Sequence, residues 1–594
     1  MSATNKRRGP NPYVEAWAVL ALLMLVIVGT GAMWIGATFA PSAKDSPDPP
    51  AFPPLLVIRL FTGDYTWPGT SATVITVVVM LVLLVAGLVV WYFVATREEV
   101  LVDRAAPYLG KTRDLRAVTT AGVRKTAARL GVDPADSPGV YVGKKIGGGE
   151  DLWGSWEDMH VDIWGPRTGK TATRAIPNIV AAPGAVIVTS NKRDVVDATR
   201  GVREQRGKIW VFDPQNQAGE KPTWWWNPLS YVRGSITLAV KLAGRFASIN
   251  RPAHARSDAY FEPAAEDLVA NLLLAASVAD VPITRVYTWL TRPTDESPVR
   301  ILRDAGHPLS ADAVEALITA PDRQRAGVYG TAIQMVSFLI APSVTEWITP
   351  GKNPDRPQFD YLDFIRSGRD TLYLLSEETS KMAAPLVLAL TAALAEDAGN
   401  MARDAPGGRL PVPMLIVLDE AANVCPWKAL PDKYTHFGSR GVVMMTILQS
   451  WSQGAAVWGE GGMAKLWGAS NVRVYGGGAL DMKFLGDLSK AGGIFEPATN
   501  SVSHKTTDLW ERSVSRGTRS ESVLDEADLA AMPRGRAFVH FSGSQPVLVR
   551  TVPWWEGPYA DAIRASIAKY DPGAAESPVL TAADAAGVQL AKST

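Results

Sequence analysis

The chain has 594 residues, 47% of them hydrophobic and 20% charged, with a formal net charge of +1. This length exceeds one compact core and fits roughly three or four units at ~150 residues each, the composition excludes a mostly disordered protein, and the balanced charge excludes a global basic footprint, so any nucleic-acid partner must be met by local patches. The single cysteine, Cys425, excludes an intrachain disulfide framework, and the scattered histidines, without HExxH or Cys-x-x-Cys spacing, speak against a zinc site.

Two runs near the N-terminus, Ala16 to Phe39 and Thr73 to Val94, hold no charged residue, and each meets the ~20 residues needed to cross a bilayer core. Trp17, Trp34, Trp67, Trp91 and Tyr92 fall near their ends, where amphipathic rings prefer the headgroup zone. Lys6, Arg7 and Arg8 before the first run resemble a signal-peptide n-region, but the apolar stretch is longer than the ~7–15 residues of an h-region, which favours an uncleaved anchor. The same cluster, with Arg97, Arg104, Lys111 and Arg113 beyond the second run, puts both flanks inside. The expectation is a multi-pass protein of the cell (inner or plasma) membrane with both termini cytosolic: N-terminus 1–15, transmembrane helix 16–39, Pro-rich external loop 40–72, transmembrane helix 73–94, and a cytosolic remainder.

Past the membrane, short apolar strands alternate with helical stretches, the pattern of a parallel sheet covered on both faces. The strand candidates are Ala185 to Thr189, Lys208 to Phe212, Thr371 to Leu375, Met414 to Leu418, Val442 to Leu448, Val472 to Tyr475 and Ala537 to Phe541; several are continuous apolar runs, as buried parallel strands are. Between Ser235 and Thr349 the strand signal vanishes and apolar residues recur at helical spacing. The fold class expected is therefore α/β, with a nucleotide-binding domain in two parts, 95–234 and 350–570, an all-α insertion at 235–349, and a tail at 571–594 poor in large apolar residues.

The chemistry concentrates in Trp164-Gly-Pro-Arg-Thr-Gly-Lys-Thr171, between the short apolar stretch Val161 to Ile163 and the helical stretch Ala172 to Val180. Strand, glycine-bearing loop and helix is the context of a phosphate-binding loop, where backbone N–H groups and a helix N-terminus converge on an anion. Gly165, Pro166, Arg167, Thr168, Gly169, Lys170 and Thr171 would bind ATP, with Lys170 on the β and γ phosphates and Thr171 on Mg²⁺. GxxxxGK[ST] asks for glycine where Trp164 stands; either the loop is one residue tighter or Trp164 tolerates the geometry. Far down the chain, Met414-Leu-Ile-Val-Leu-Asp-Glu420 is an apolar strand ending in two carboxylates, a Walker B pattern in which Asp419 serves the Mg²⁺ shell and Glu420 polarises the attacking water. Gln449, ending the next strand, is either a sensor of phosphate or water or an amide capping the following helix. Trp224-Trp225-Trp226 and Trp554-Trp555 read as packing residues, since no basic run interleaves them, and Gly147-Gly-Gly149 and Gly476-Gly-Gly478 read as turns.

Taken together, Gly165-Pro-Arg-Thr-Gly-Lys-Thr171, Ile176-Pro-Asn178, Val211-Phe-Asp-Pro214, Trp226-Asn-Pro-Leu229, Tyr260-Phe-Glu-Pro-Ala-Ala265, Leu418-Asp-Glu-Ala-Ala-Asn423, Ser439-Arg-Gly441 and Ile447-Leu-Gln-Ser450 resemble the coupling proteins of type IV secretion and conjugation, the VirD4/TraG family. The resemblance spans most of residues 155 to 550. It implies a RecA-like P-loop NTPase domain, a homo-hexameric ring, and ATP hydrolysis that drives DNA, without sequence specificity and with a relaxase, toward the channel components of the secretion system. Two departures stand out: Ser190-Asn-Lys192 replaces the family's frequent Asp-Pro-Lys, and Gly438-Ser-Arg-Gly441 replaces Gly-Arg-x-x-Gly, leaving Arg440 either the nearest candidate for an arginine finger or a surface arginine leading into the strand. Two other readings compete, a chromosome translocase of the FtsK type and a docking platform that does not hydrolyse ATP. The all-α insertion weighs against the first, and Lys170, Thr171, Asp419 and Glu420, retained together, weigh against the second.

Overall fold

The computed structural model describes residues 14–40, 48–95, 100–250, 260–351, 353, 355–377, 382–495, 498–504, 512–518 and 520–573. Lys6, Arg7, Arg8, Arg97 and the tail from 574 onward lie outside the described residues. The chain divides into two compact units, Met1–Val100 and Leu101–Thr594.

The first unit is helical, with long helices at Val14–Phe39 and Thr70–Ala95. Among the described residues one helix, Thr70–Val89, is long and apolar enough to cross a membrane, while Val26–Phe39 is a shorter apolar run. Between the long helices the Pro-rich segment contains a 10-residue helix, Pro53–Thr62, that the sequence reading treated only as loop. Its prolines stand at the first helical positions, where the missing N–H costs nothing, and Gly63 ends it at φ 80°.

The second unit is built on an 11-stranded sheet. In chain order its strands are β1 (Val140–Lys145), β2 (Asp151–Gly154), β3 (His160–Ile163), β4 (Val186–Ser190), β5 (Ile209–Phe212), β6 (Thr371–Leu375), β7 (Met414–Leu418), β8 (Val442–Leu448), β9 (Val472–Tyr475), β10 (Arg536–Phe541) and β11 (Val547–Arg550). Their order in space is β2-β1-β11-β10-β9-β3-β8-β7-β4-β6-β5. From β9 to β5 every neighbour pair is parallel, and β10, β11, β1 and β2 extend it antiparallel. In the parallel block β8 stands between β3, which leads into the loop 165–170, and β7, which ends in the carboxylate pair, the strand order expected of a RecA-like P-loop domain. All residues of β3, β4, β6, β7 and β8 are buried, as required of strands covered on both faces.

From Ile236 to Thr345 every described element is helical, including the long helices Ile236–Asn250 and Phe261–Val278. Trp224 is buried among Trp210, Phe212, Trp347 and Phe359, and Trp226 and Trp554 are also buried, so these tryptophans pack the fold.

His160 and Asp162 of β3 and Arg174, which follows the loop after β3, form a fully buried polar cluster. Arg174 Nε donates to Asp162 Oδ2 at 2.6 Å, and its Nη2 lies 3.2 Å from His160 Nδ1. Burial, and then the neighbouring Arg174 charge, hold His160 well below its ordinary 6.5, so the folded protein keeps it neutral. Below pH 6.5 the unfolded chain takes up a proton that the folded chain refuses, so stability is lost as pH falls, by up to ~1.4 kcal/mol per pH unit from this group. Melting curves from pH 7.5 to 5 should fall more steeply for the wild type than for His160→Asn; parallel curves would refute this assignment.

Candidate nucleotide site

The parallel strands align their carboxyl ends on one edge: Ile163 of β3 pairs with Leu448 of β8, Thr446 of β8 with Leu418 of β7, and Leu418 with Thr189 of β4. Ligands of open α/β sheets bind outside this edge. The residues that step off it are Trp164, Asn191, Asp419 and Gln449, so four separate stretches of sequence end at one edge.

Trp164 extends β3 rather than opening the loop. Its N–H donates to Leu448 O at 2.9 Å, and its indole is fully buried and lies against Gly476 so closely that a Cβ there would come within 2.0 Å of the ring. The loop itself begins at Gly165, whose N–H donates to Gly477 O at 2.8 Å; a Cβ at Gly165 would meet Gly478 O at 2.2 Å. The tighter loop is thus the alternative found, and the turn Gly476-Gly-Gly478 is its support. Arg167 (φ 60°) and Gly169 (φ 96°) take left-handed backbone to close the loop. A widened turn of helix, Thr171–Ala175, follows and continues as the helix Ile176–Ala181. Restoring the consensus with Trp164→Gly should therefore not tighten nucleotide binding. It should cost on the order of 3–5 kcal/mol, as loss of a buried tryptophan does, read as a fall in melting temperature; an unchanged melting temperature with stronger nucleotide binding would overturn this account.

Lys170 meets both carboxylates. Its Nζ donates to Glu420 Oε1 at 2.9 Å and stands 3.4 Å from Asp419 Oδ1. The second contact is an ion pair without hydrogen-bond geometry, leaving Asp419 Oδ1 buried and unbonded among the described residues. Burial pushes the Asp419 carboxyl up to about 6, against the downward pull of Lys170. For Glu420 burial acts upward too, but the hydrogen bonds from Lys170 and Gln449 and the Lys170 and Lys192 charges bring it below its ordinary value. Lys170 loses to burial and gains more from Asp419 and Glu420, so its ammonium is held above the usual lysine range. Glu420 itself adopts φ 53°, an uncommon left-handed backbone for a residue with a side chain.

Gln449 reaches Glu420 with its side chain, whereas the following helix, Trp451–Ala469, is capped by Ser450, whose side chain accepts from the Gln453 N–H. Asn191 is the residue that sequence reasoning passed over: its Nδ2 donates to Glu420 Oε2 at 2.8 Å. It belongs to the Ser190-Asn-Lys192 departure, and two polar residues closing an otherwise apolar strand were the available signal. Arg440 is not brought here. It precedes the opposite end of β8 from Gln449, roughly 20 Å away at ~3.3 Å per residue, with its Nη1 on Gly399 O at 3.4 Å. Among the described residues no cluster of His, Cys, Asp and Glu is built to hold a metal on its own. The unbonded Asp419 oxygen, 3.4 Å from Lys170 Nζ, instead suits a cation that arrives with a phosphate chain.

Residues 413–534, from just before β7 to just before β10, match the family model TraG-D_C, described as the TraM recognition site of TraD and TraG. That segment, about a fifth of the chain, is similar to the corresponding region of TraD and TraG. Among solved structures, the bacterial conjugative coupling protein TrwBdeltaN70 is similar at 17% identity and a TM-score of 0.49, over 67% of this chain and 85% of that one. The plasmid coupling protein TrwB in complex with the ATP analogue ADPNP is similar at 16% and 0.48, over 67% and 86%. VirB4 of Thermoanaerobacter pseudethanolicus is similar at 13% and 0.41, over 71% and 98%. No curated protein matches the sequence. The matched segment contains Asp419, Glu420 and Gln449, and the loop 165–170 lies upstream of it.

Proposed function

We propose that this chain is a membrane-anchored ATPase that couples ATP hydrolysis to the recruitment and translocation of DNA, or of a relaxase–DNA complex, into a type IV secretion or conjugation channel. The observation that carries the reading is the convergence of Lys170 Nζ on Glu420 Oε1, at 2.9 Å, across 250 residues of sequence. A loop lysine and a strand-end glutamate meeting at the carboxyl edge of a parallel sheet is the arrangement phosphoryl transfer to water needs.

In this reading the N–H groups of Gly165 to Thr171 and the Lys170 ammonium hold the β and γ phosphates. Glu420 orients the attacking water and takes its proton; Asn191 and Gln449 fix that carboxylate and report on the phosphate. Mg²⁺, bound with the nucleotide, would neutralise phosphate charge and be held by Thr171 and Asp419. Arg440 would act only on a neighbouring subunit's nucleotide in a homo-hexamer. The helices Val14–Phe39 and Thr70–Ala95 would anchor the protein in the cell membrane with the motor cytosolic, the description of residues 413–534 supports a relaxosome protein as docking partner, and the helical segment 235–349 is read as an insertion domain.

The test is ATP turnover by the full chain in lipid nanodiscs, with and without single- and double-stranded DNA. DNA should raise turnover, and because phosphate contacts release counterions the stimulation should fade between roughly 50 and 200 mM salt. Turnover indifferent to DNA would sink the translocation reading, and absence of turnover would leave a docking platform.

A further inference from the structure

A cavity of about 440 Å³ lies between the helix Trp451–Ala469, the helix Met482–Gly492 and strands β9 and β10, within the roughly 300–1,000 Å³ of ligand pockets. Its interior is aromatic. Trp451 stacks on Phe484 at 5.2 Å between centroids, and Trp467 meets Phe484 edge-on at 5.3 Å. The rim is charged but not balanced. Its two carboxylates are engaged, Glu460 accepting from the Trp451 indole at 3.0 Å and Asp487 pairing with Lys490 at 3.4 Å.

Its two cations have no carboxylate among the described residues. Arg473 donates to the carbonyls of Trp467 and Gly468, at 2.6 and 2.9 Å, and its Nη1 lies 3.3 Å from His540 Nδ1; Lys483 is exposed at the mouth. Half-burial lowers the Arg473 pKa, a sign that its charge is incompletely compensated. An apolar hollow flanked by two unmatched cations is complementary to a short peptide with one large apolar side chain beside carboxylates. Nucleobases fit it less well, because the ring faces are already taken up by one another and no basic track leads away.

We propose that this cavity docks an acidic peptide segment of a partner protein, its apolar side chain on the Trp451–Phe484–Trp467 cluster and its carboxylates on Arg473 and Lys483. The inference rests on the docking role proposed above and is independent of hydrolysis. The site adjoins the motor directly: Trp451 follows Ser450 and Gln449, and its N–H donates to Asp481 Oδ2 at 2.9 Å.

The experiment is fluorescence anisotropy of a fluorescein-labelled peptide, Gly-Gly-Asp-Glu-Leu-Phe with a free carboxylate, titrated with the full chain in nanodiscs, ATP turnover being read on the same sample. Saturable binding is expected, at least tenfold weaker for Lys483→Glu, lost for Ala464→Trp, which fills the hollow from an exposed position, and kept in Lys170→Ala; melting curves confirm that the variants fold. The amidated Asn-Gln peptide should bind at least tenfold more weakly. Equal affinity for either cavity variant or for the neutral peptide overturns the proposal, as does labelled oligothymidine binding that Ala464→Trp removes while the peptide does not bind. DNA-stimulated turnover without peptide binding defeats this proposal alone; peptide binding without DNA-stimulated turnover defeats the translocation reading alone.

Discussion

Lys170→Ala is expected to reduce ATP turnover by at least roughly 10²–10³-fold, the scale of losing one preorganised charge from a site of phosphoryl transfer. The effect has two sources. On the proposed function the ammonium is the cation that the loop would present to the terminal phosphates, and it also compensates the buried pair Asp419 and Glu420, at 3.4 and 2.9 Å. Removing one partner of a buried ion pair costs on the order of 3–5 kcal/mol, because the other charge is left uncompensated. Titration with a fluorescent ATP analogue should therefore show weakened binding together with lost turnover. Wild-type turnover in this variant would mean that the loop is not the nucleotide site.

Glu420→Gln should separate binding from chemistry. The substitution keeps the shape of the side chain and an acceptor oxygen for Lys170, yet it removes the group that, on the proposed mechanism, would take a proton from water. Turnover should drop by about 10²–10⁴-fold, the usual contribution of a general base, while nucleotide affinity stays near that of the wild type. Rapid filtration after a single turnover should recover unhydrolysed ATP on the protein. Equal loss of affinity and turnover would show that Glu420 only holds the loop lysine in place.

Why some of this was legible from residue order alone comes down to how local each determinant is. The strands β4 to β8 are mostly apolar runs bounded by turn residues, and Asp419 and Glu420 announce themselves because they close such a run, as Lys170 does through its glycine-bearing loop. By contrast, β1 reads Val-Tyr-Val-Gly-Lys-Lys, half polar and interrupted by an irregularity between Tyr141 and Gly143, and β11 has four residues; neither carries a periodicity long enough to see. Asn191 was missed for another reason. Its role follows from β4 lying beside β7 with Thr189 opposite Leu418, a pairing absent from either stretch taken alone. Trp164 left two alternatives open because only the contact with Gly476 decides between a loop one residue tighter and a tryptophan tolerated at its first position.

The dependence of the phosphate loop on the turn after β9 also orders events during biosynthesis. Met159, just before β3, donates its N–H to Asn471, just before β9, a partner made 312 residues later. At roughly 5–20 residues per second a ribosome needs about 15–60 s to supply it. For that interval the emerging loop lacks its floor and Trp164 lacks its cover, so the nascent segment exposes an indole that the finished protein hides. Nucleotide competence would then be acquired late, after the helical stretch and the carboxylate strand have already left the exit tunnel.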